Sequence, residues 1–222
     1  MRLKLFINEG LKIGLGLTAF DIDDSLLHTF AQIKVVKDGE VIKSLSNQEF
    51  NTYKLGDGES FDFKEFADAE FFRNTSKPID RMIKKAIQIT KNATNKGSKV
   101  ICLTARDNFD NKKVFLDTFR MYGLPIDDIY VVRTGSMKGP VSERKKKVIL
   151  DYLSTGLYLR VRLFDDDMTN CKTFVNIKND VPDSIYKSIR DKYDIGVEIS
   201  NDELLTFEAY LVDKEGGTKR IR

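Results

Sequence analysis

Three carboxylates fall within four positions of the stretch L-T-A-F-D-I-D-D-S (Leu17 to Ser25), where Asp21, Asp23 and Asp24 follow directly on an apolar run. A second cluster, Asp165, Asp166 and Asp167, closes the run Leu157 to Phe164, and a hydroxyl, Thr104, closes K-V-I-C-L-T. Carboxylates packed this closely repel one another unless a proton or a cation intervenes. Their hard oxygens suit Mg²⁺, which keeps several waters and takes one or two protein carboxylates together with substrate phosphate. An aspartate in such a setting can attack phosphorus, provided a cation and nearby donors neutralise the phosphoryl oxygens. The plain alternative for each cluster is a solvated acidic turn after a strand.

For these groups to meet, the elements carrying them must end on one edge of a sheet. Leu17 to Phe20, Lys99 to Thr104, Ile129 to Val132 and Leu157 to Phe164 read as short buried strands. Between and after them come helical patterns: one from Pro78, capped by Ser76 and ended by Gly97, one from about Asn108 to Tyr122, one over Ser142 to Leu153, and one over Asp183 to Tyr193. Leu205 to Val212 is β-prone and Gly216-Gly217 is a turn. Strands alternating with helices predict an α/β protein with a mostly parallel sheet covered on both faces. In such a sheet the acids and Thr104 share the carboxyl edge, where ligands bind.

The stretch 32–74 breaks this alternation. Gln32 to Leu45 alternates around Asp38-Gly39, a hairpin signal, and Asn47 to Asn74 carries Phe50, Tyr53, Phe61, Phe63, Phe66, Phe71 and Phe72. It reads as a hairpin flap and small cap inserted after the first strand, leaving 1–31 and 75–222 as the core. Aromatic residues so grouped are more often core than substrate platform.

Composition narrows the class. At 222 residues, 41% hydrophobic and 32% charged, the chain fits one globular core with an insertion, and no apolar run approaches the ~20 residues that span a bilayer. A net charge of +3 is too small to imply nucleic-acid binding. Cys102 and Cys171 form no CxxC pair and read as reduced core thiols of a cytoplasmic protein. Met1 to Gly16 makes a poor signal peptide and a better first strand or short amphipathic segment. Within it, Ile7-Asn8-Glu9-Gly10 resembles the cleavage signals of tailed-phage head proteases, which would imply a viral origin and a host cytoplasm.

F-D-I-D-D-S-L (Phe20 to Leu26), I-C-L-T-A-R (Ile101 to Arg106) and L-F-D-D-D-M-T-N (Leu163 to Asn170) together resemble the first, second and fourth motifs of the haloacid dehalogenase-like (HAD) superfamily, specifically its aspartate-nucleophile phosphatases. The resemblance covers about Leu17 to Phe174. It implies a three-layer α/β/α Rossmann-like fold and Mg²⁺-dependent hydrolysis of a phosphate monoester through an aspartyl-phosphate. It further implies Asp21 as nucleophile and Mg²⁺ ligand, and Asp23 as general acid/base and metal-site member. Ser25 becomes a supporting substrate-site residue, Thr104 the phosphate-binding hydroxyl, and Asp165 and Asp166 the metal ligands. Asp24 is a bystander in the turn. An acid at Asp23 separates phosphatases and phosphomutases from the dehalogenase branch, because a leaving alkoxide must be protonated.

The third motif needs a lysine near a helix start, for which Lys145, Lys146 and Lys147 compete. Spacing favours Lys146, with Ile149, Leu150 and Leu153 at i+3, i+4 and i+7, and Lys145 stands close behind as a substrate-binding group. Arg106 either contacts substrate or pairs with a site acid such as Asp107. His28, the only histidine, is structural or near the substrate entrance. The later motifs and the basic tail Lys219-Arg220-Ile221-Arg222 resemble the phosphatase half of phage polynucleotide kinases, which implies a nucleotide or a nucleic-acid 3′-phosphate end as substrate; no P-loop is present for a kinase activity. The competing classes are a binding or structural module with a vestigial site, and a phosphotransferase or phosphomutase.

Overall fold

The computed structural model describes residues 14–50 and 52–222. The expectations for the N-terminal segment, including the Ile7-Asn8-Glu9-Gly10 resemblance, fall on residues outside these, except that Leu15 and Gly16 open the first strand.

In chain order, β1 (Leu15–Phe20) is followed by β2 (Leu27–His28), β3 (Ile33–Lys37), β4 (Glu40–Leu45), α1 (Asn47–Phe50), β5 (Glu59–Asp62), α2 (Lys64–Ala67), α3 (Ala69–Thr75) and β6 (Lys77–Pro78). Then come α4 (Asp80–Thr94), β7 (Lys99–Thr104), α5 (Lys112–Met121), β8 (Tyr130–Arg133), α6 (Val141–Leu153), β9 (Tyr158–Asp165), α7 (Met168–Asn176), α8 (Asp183–Tyr193), α9 (Asn201–Leu204), β10 (Thr206–Val212) and β11 (Thr218–Ile221).

The protein is a mixed α/β fold on a mostly parallel sheet. Its order is β11-β10-β9-β1-β7-β8, with only β10 and β11 antiparallel. Side chains alternate across the strands, so each face buries its own apolar set. Leu17, Ala19, Ile101, Leu103 and Leu163 pack with α6, α7 and α8 on one face. Phe20, Val100, Cys102 and Phe164 pack with α4 and α5 on the other. The chain runs from β1 outward through β7 and β8, then returns to the opposite side of β1 with β9 and β10. The direction of winding therefore reverses at β1, and strand ends on either side of such a switch point leave a crevice.

Residues 33–62 form a separate three-stranded antiparallel sheet, β4-β3-β5, over a small core of Ile33, Val35 and Leu45. The β3–β4 turn sits at Asp38-Gly39 with φ of 51° and 84°, the left-handed pair that a tight hairpin requires. Cys102 and Cys171 are free and buried. No helix among the described residues is long and apolar enough to cross a membrane.

Several elements depart from the pattern reading. Pro78 does not begin a helix: with Lys77 it pairs antiparallel to Leu27–His28, and α4 starts at Asp80. Proline has no N–H to donate and its φ suits an edge strand as well as a helix start, so short-range pattern does not separate the two. Ser76 instead ends α3, its N–H donating to the Phe72 carbonyl. Residues 108–110 are loop, and Asn111 caps α5 by accepting from the Val114 N–H. The pattern reading also omits α7, which Asp167 caps through the Thr169 and Asn170 N–H groups. Burial of Asn170, Cys171 and Phe174 stabilises this helix against β9 and β10.

Candidate functional site

Asp21 is the first residue past β1, and its N–H donates to the Phe164 carbonyl at 2.8 Å, extending the ladder to β9 by one bond. Since Phe20 is in register with Phe164, Asp21 and Asp165 stand side by side at the sheet edge. Both are buried, at 5% and 0% exposure. Lys145 bridges them: its Nζ donates to Asp21 Oδ1 at 2.6 Å and to Asp165 Oδ2 at 2.7 Å. Asn170 Nδ2 (3.0 and 3.2 Å) and the Asp167 N–H (3.0 Å) also donate to Asp165, so α7 holds that carboxylate in place.

The lysine of this site is Lys145, not Lys146. Helical phase decides it, because Lys145 shares the inward face with Val148 and Ile149 at i+3 and i+4. Lys146 points away and its Nζ donates to Asp180 at 2.8 Å on the exposed side. Lys147 is exposed as well.

One oxygen from each of Asp21, Asp165 and Asp166 lies within 4.8 Å of the others. Three carboxylates face one ammonium here, and the all-oxygen donor set fits a hard divalent cation. Asp21 Oδ2 accepts no hydrogen bond among the described residues, which leaves it free to act. The charge excess favours proton uptake by these acids. Burial, then Asp165, Asp166 and Asp23, push Asp21 well above the usual carboxylate range, against the pull of Lys145. Desolvation by the cleft wall, Asp165 and Asp24 push Asp166 up to about 7, although its residue remains open to the cleft. Burial disfavours the ammonium of Lys145, but Asp165 and Asp21 outweigh it and hold the group charged.

Asp23, two residues on, belongs to a different assembly. Of the four acids expected to hold a metal, Asp23 is the one that does not join the group of Asp21, Asp165 and Asp166. Instead Arg106 Nε and Nη2 donate to it at 2.7–3.0 Å, and the Thr29 hydroxyl donates at 2.6 Å. Burial alone would raise its pKa; the charge and hydrogen bonds of Arg106, with Thr29, outweigh that and hold the carboxyl below its usual range. Arg106, 3% exposed, lines the cleft, and its ion pair is with Asp23 and not with Asp107. Its guanidinium lies 4.6, 5.1 and 5.5 Å from the rings of Phe66, Phe72 and Phe109, and Nη1 donates to the Phe66 carbonyl at 3.0 Å. The insertion is thereby tied to Asp23 through one side chain.

The expected phosphate hydroxyl, Thr104, is fully buried beneath this pair: its Oγ1 accepts from the Arg106 N–H at 3.1 Å and lies 3.4 Å from Asp23 Oδ2. Ser25 is also fully buried and donates to Asp166 Oδ1 at 3.3 Å, which makes it a prop for that acid and not a substrate contact. Asp24 adopts a left-handed φ of 52°, lines the cleft and accepts from His28 Nδ1 at 3.3 Å. His28, at the end of β2, thus has a structural partner in the turn before it. Gly135 lets the loop before α6 press on the Arg106–Asp107 backbone, where a Cβ would come within 2.5 Å of the Asp107 nitrogen.

These groups open into a cleft of about 1370 Å³ whose other wall comes from the insertion. Asn170, Thr29 and Phe66 take part without having been singled out from the sequence. Asn170 left a signal, standing five residues after Asp165 in the D-D-x-x-x-N run, and Phe66 stood among the aromatic residues of the insertion; Thr29 left none. Fold and site together define an α/β protein with a buried oxygen-ligand cluster at the switch point of its sheet. Compared with known proteins, the chain matches no protein-family model and no curated protein.

Proposed function

We propose that the protein is a Mg²⁺-dependent phosphomonoester hydrolase with the three-layer α/β/α, Rossmann-like architecture of the HAD superfamily, working through an aspartyl-phosphate on Asp21. The observation that carries this reading is the Lys145 bridge between Asp21 and Asp165 beside Asp166 at the switch point. It unites a carboxylate with a free oxygen, a fixed cation and a divalent-ion donor set, the parts that phosphoryl transfer needs.

Asp21 Oδ2 attacks phosphorus and the ester oxygen leaves. Lys145 fixes the orientation of Asp21 through Oδ1 and adds positive charge beside the transferring group. A divalent cation, when bound by Asp21, Asp165 and Asp166, supplies further neutralisation of the phosphoryl oxygens. Asp23 protonates the departing alkoxide, then takes a proton from the water whose oxygen attacks phosphorus, releasing inorganic phosphate and restoring the Asp21 carboxylate. Paired to Arg106, Asp23 is in its ionised form, the one required for the second step. The first step requires its carboxyl to take up a proton in the substrate complex.

Hydrolysis of p-nitrophenyl phosphate with and without Mg²⁺ tests the reading. The wild type turns over only with the metal, and Asp21→Asn does not. No turnover by the wild type, or equal turnover by the variant, overturns it.

A further inference from the structure

Four phenylalanines of the insertion, Phe50, Phe61, Phe63 and Phe66, line the same cleft as Asp21 and Asp23. Phe63 touches the other three, with its ring centroid 5.6 Å from Phe50, 5.9 Å from Phe61 and 6.5 Å from Phe66. At its inner end this row meets Arg106, which lies over Phe66 and holds Asp23. A continuous aromatic wall thus runs outward from the group that handles the leaving-group proton.

Not all of this wall is explained as core. The insertion's own buried centre is Ile33, Val35 and Leu45, with Phe50, Phe61 and Phe66 only partly covered around it. Phe63 is 46% exposed although it lies in a concave cleft. A ring left wet in a cleft gains most from another flat ring laid against it, since aromatic pairs are favourable beyond the area they bury. The polar flanks narrow the chemistry. Asp62 and Lys64, on either side of Phe63, also line the cleft, paired at 3.2 Å with Lys64 otherwise in solvent. An alkyl chain would desolvate them without compensation, whereas the N–H and carbonyl edges of a heterocycle can bond to both.

We propose that Phe63, backed by Phe50, Phe61 and Phe66, is the stacking seat for a planar heterocycle carried by the leaving group, so that the substrate is a nucleotide-type phosphomonoester. This rests on the hydrolase reading above and adds the specificity determinant to it. The phosphate lies at Asp21, the ester oxygen faces Asp23, and the base lies along the wall.

The test compares esters of primary alcohols that differ in the ring: adenosine 5′-monophosphate against ribose 5-phosphate, and benzyl phosphate against propyl phosphate. The wild type favours the adenosine ester by about 10-fold or more in kcat/KM, in the range that base–aromatic stacking gives. Phe63→Leu keeps an apolar side chain for packing and brings the ratio to within about 3-fold of unity, while Phe63→Tyr retains it. A wild-type ratio near one, or a ratio that survives Phe63→Leu, overturns the proposal. A preference shown only by the benzyl pair replaces the heterocycle with a carbocycle and overturns the nucleotide assignment. Calorimetric titration of Asp21→Asn with the adenosine and ribose esters reads the seat without turnover. If no phosphomonoester is hydrolysed yet this variant binds the adenosine ester about 10-fold tighter, the hydrolase reading fails and the seat stands; equal binding removes the seat whatever the turnover.

Discussion

Asp21 and Asp23 are two residues apart past one strand end, the first buried and the second partly so, and each meets one long cationic side chain. Around Asp21 the balance is unequal: Asp21, Asp165 and Asp166 share Lys145, and two of these acids are pushed up in pKa. Around Asp23 one carboxylate meets one guanidinium, Thr29 adds a donor, and the pKa moves down. The difference lies in what each assembly is complete with. The Asp23 pair is neutral and fully bonded as it stands, so it holds a geometry. The Asp21 group sets three acids against one ammonium and is relieved by a bound proton or cation, so it is stabilised by what binds it.

The contrast can be broken most directly at Asp21. If Asp21 is the nucleophile proposed above, Asp21→Asn lowers turnover by about 10³-fold or more. Because it also removes one of three crowded acids, its Tm stays at or above that of the wild type. A drop of several degrees with proportional loss of activity would place Asp21 in the structure instead of the chemistry.

Next comes the lysine pair. Lys145→Met leaves two buried carboxylates without their cation, and breaking a buried pair in this way costs about 3–5 kcal/mol. Lys146→Met removes an exposed pair with Asp180 and changes unfolding free energy by no more than about 1 kcal/mol. Urea unfolding of both variants reads the difference; similar losses would contradict the assigned helical phase.

Arg106→Gln sharpens the other side. Removing the guanidinium takes away the main opposition to burial at Asp23 and raises its pKa, so the descending limb of the kcat/KM pH profile, set by the protonated carboxyl that the first step needs, moves to higher pH. Misplacing the carboxyl lowers the plateau by about 10²-fold. An unshifted limb would mean that Arg106 does not govern Asp23.

The smallest effect is on the metal-free protein. Folded Asp166 takes up its proton near 7, and an unfolded aspartate does so near about 3.9. Between these values the folded state binds more protons, so stability falls as pH rises toward 7 and the loss is complete above it. Asp166 is open to the cleft, and solvent screening keeps the slope shallow. Asp166→Asn flattens the Tm–pH curve over this range; an unchanged curve would place the acid excess elsewhere.

Which features were legible follows from the range of the forces that make them. The strand ending at Thr104, the end of β9 to within one residue of Phe164, and the helix Asp183–Tyr193 could be read because alternation, helical spacing and flanking glycines act within a few residues. Pro78 misled because a proline before a helix and a proline in an edge strand share the same local preferences, and pairing with Leu27 decides between them. Ser25 and Thr104 have hydroxyls that suit a phosphate equally well as a buried neighbour. Their full burial against Asp166 and Asp23 is a property of the packed interior.

By itself the sequence determined that acids stand past the ends of β1 and β9, and that a lysine-bearing helix lies between β8 and β9, because apolar runs and turn residues set strand ends locally. Only the tertiary structure decided that Lys145 turns inward, that Arg106 serves Asp23, and that the insertion lays an aromatic wall along the cleft. Those outcomes depend on contacts such as Lys145 with Asp21, 124 residues apart, and Arg106 with Asp23, 83 apart. Charge balance is reached only once the sheet has brought such distant residues to one edge.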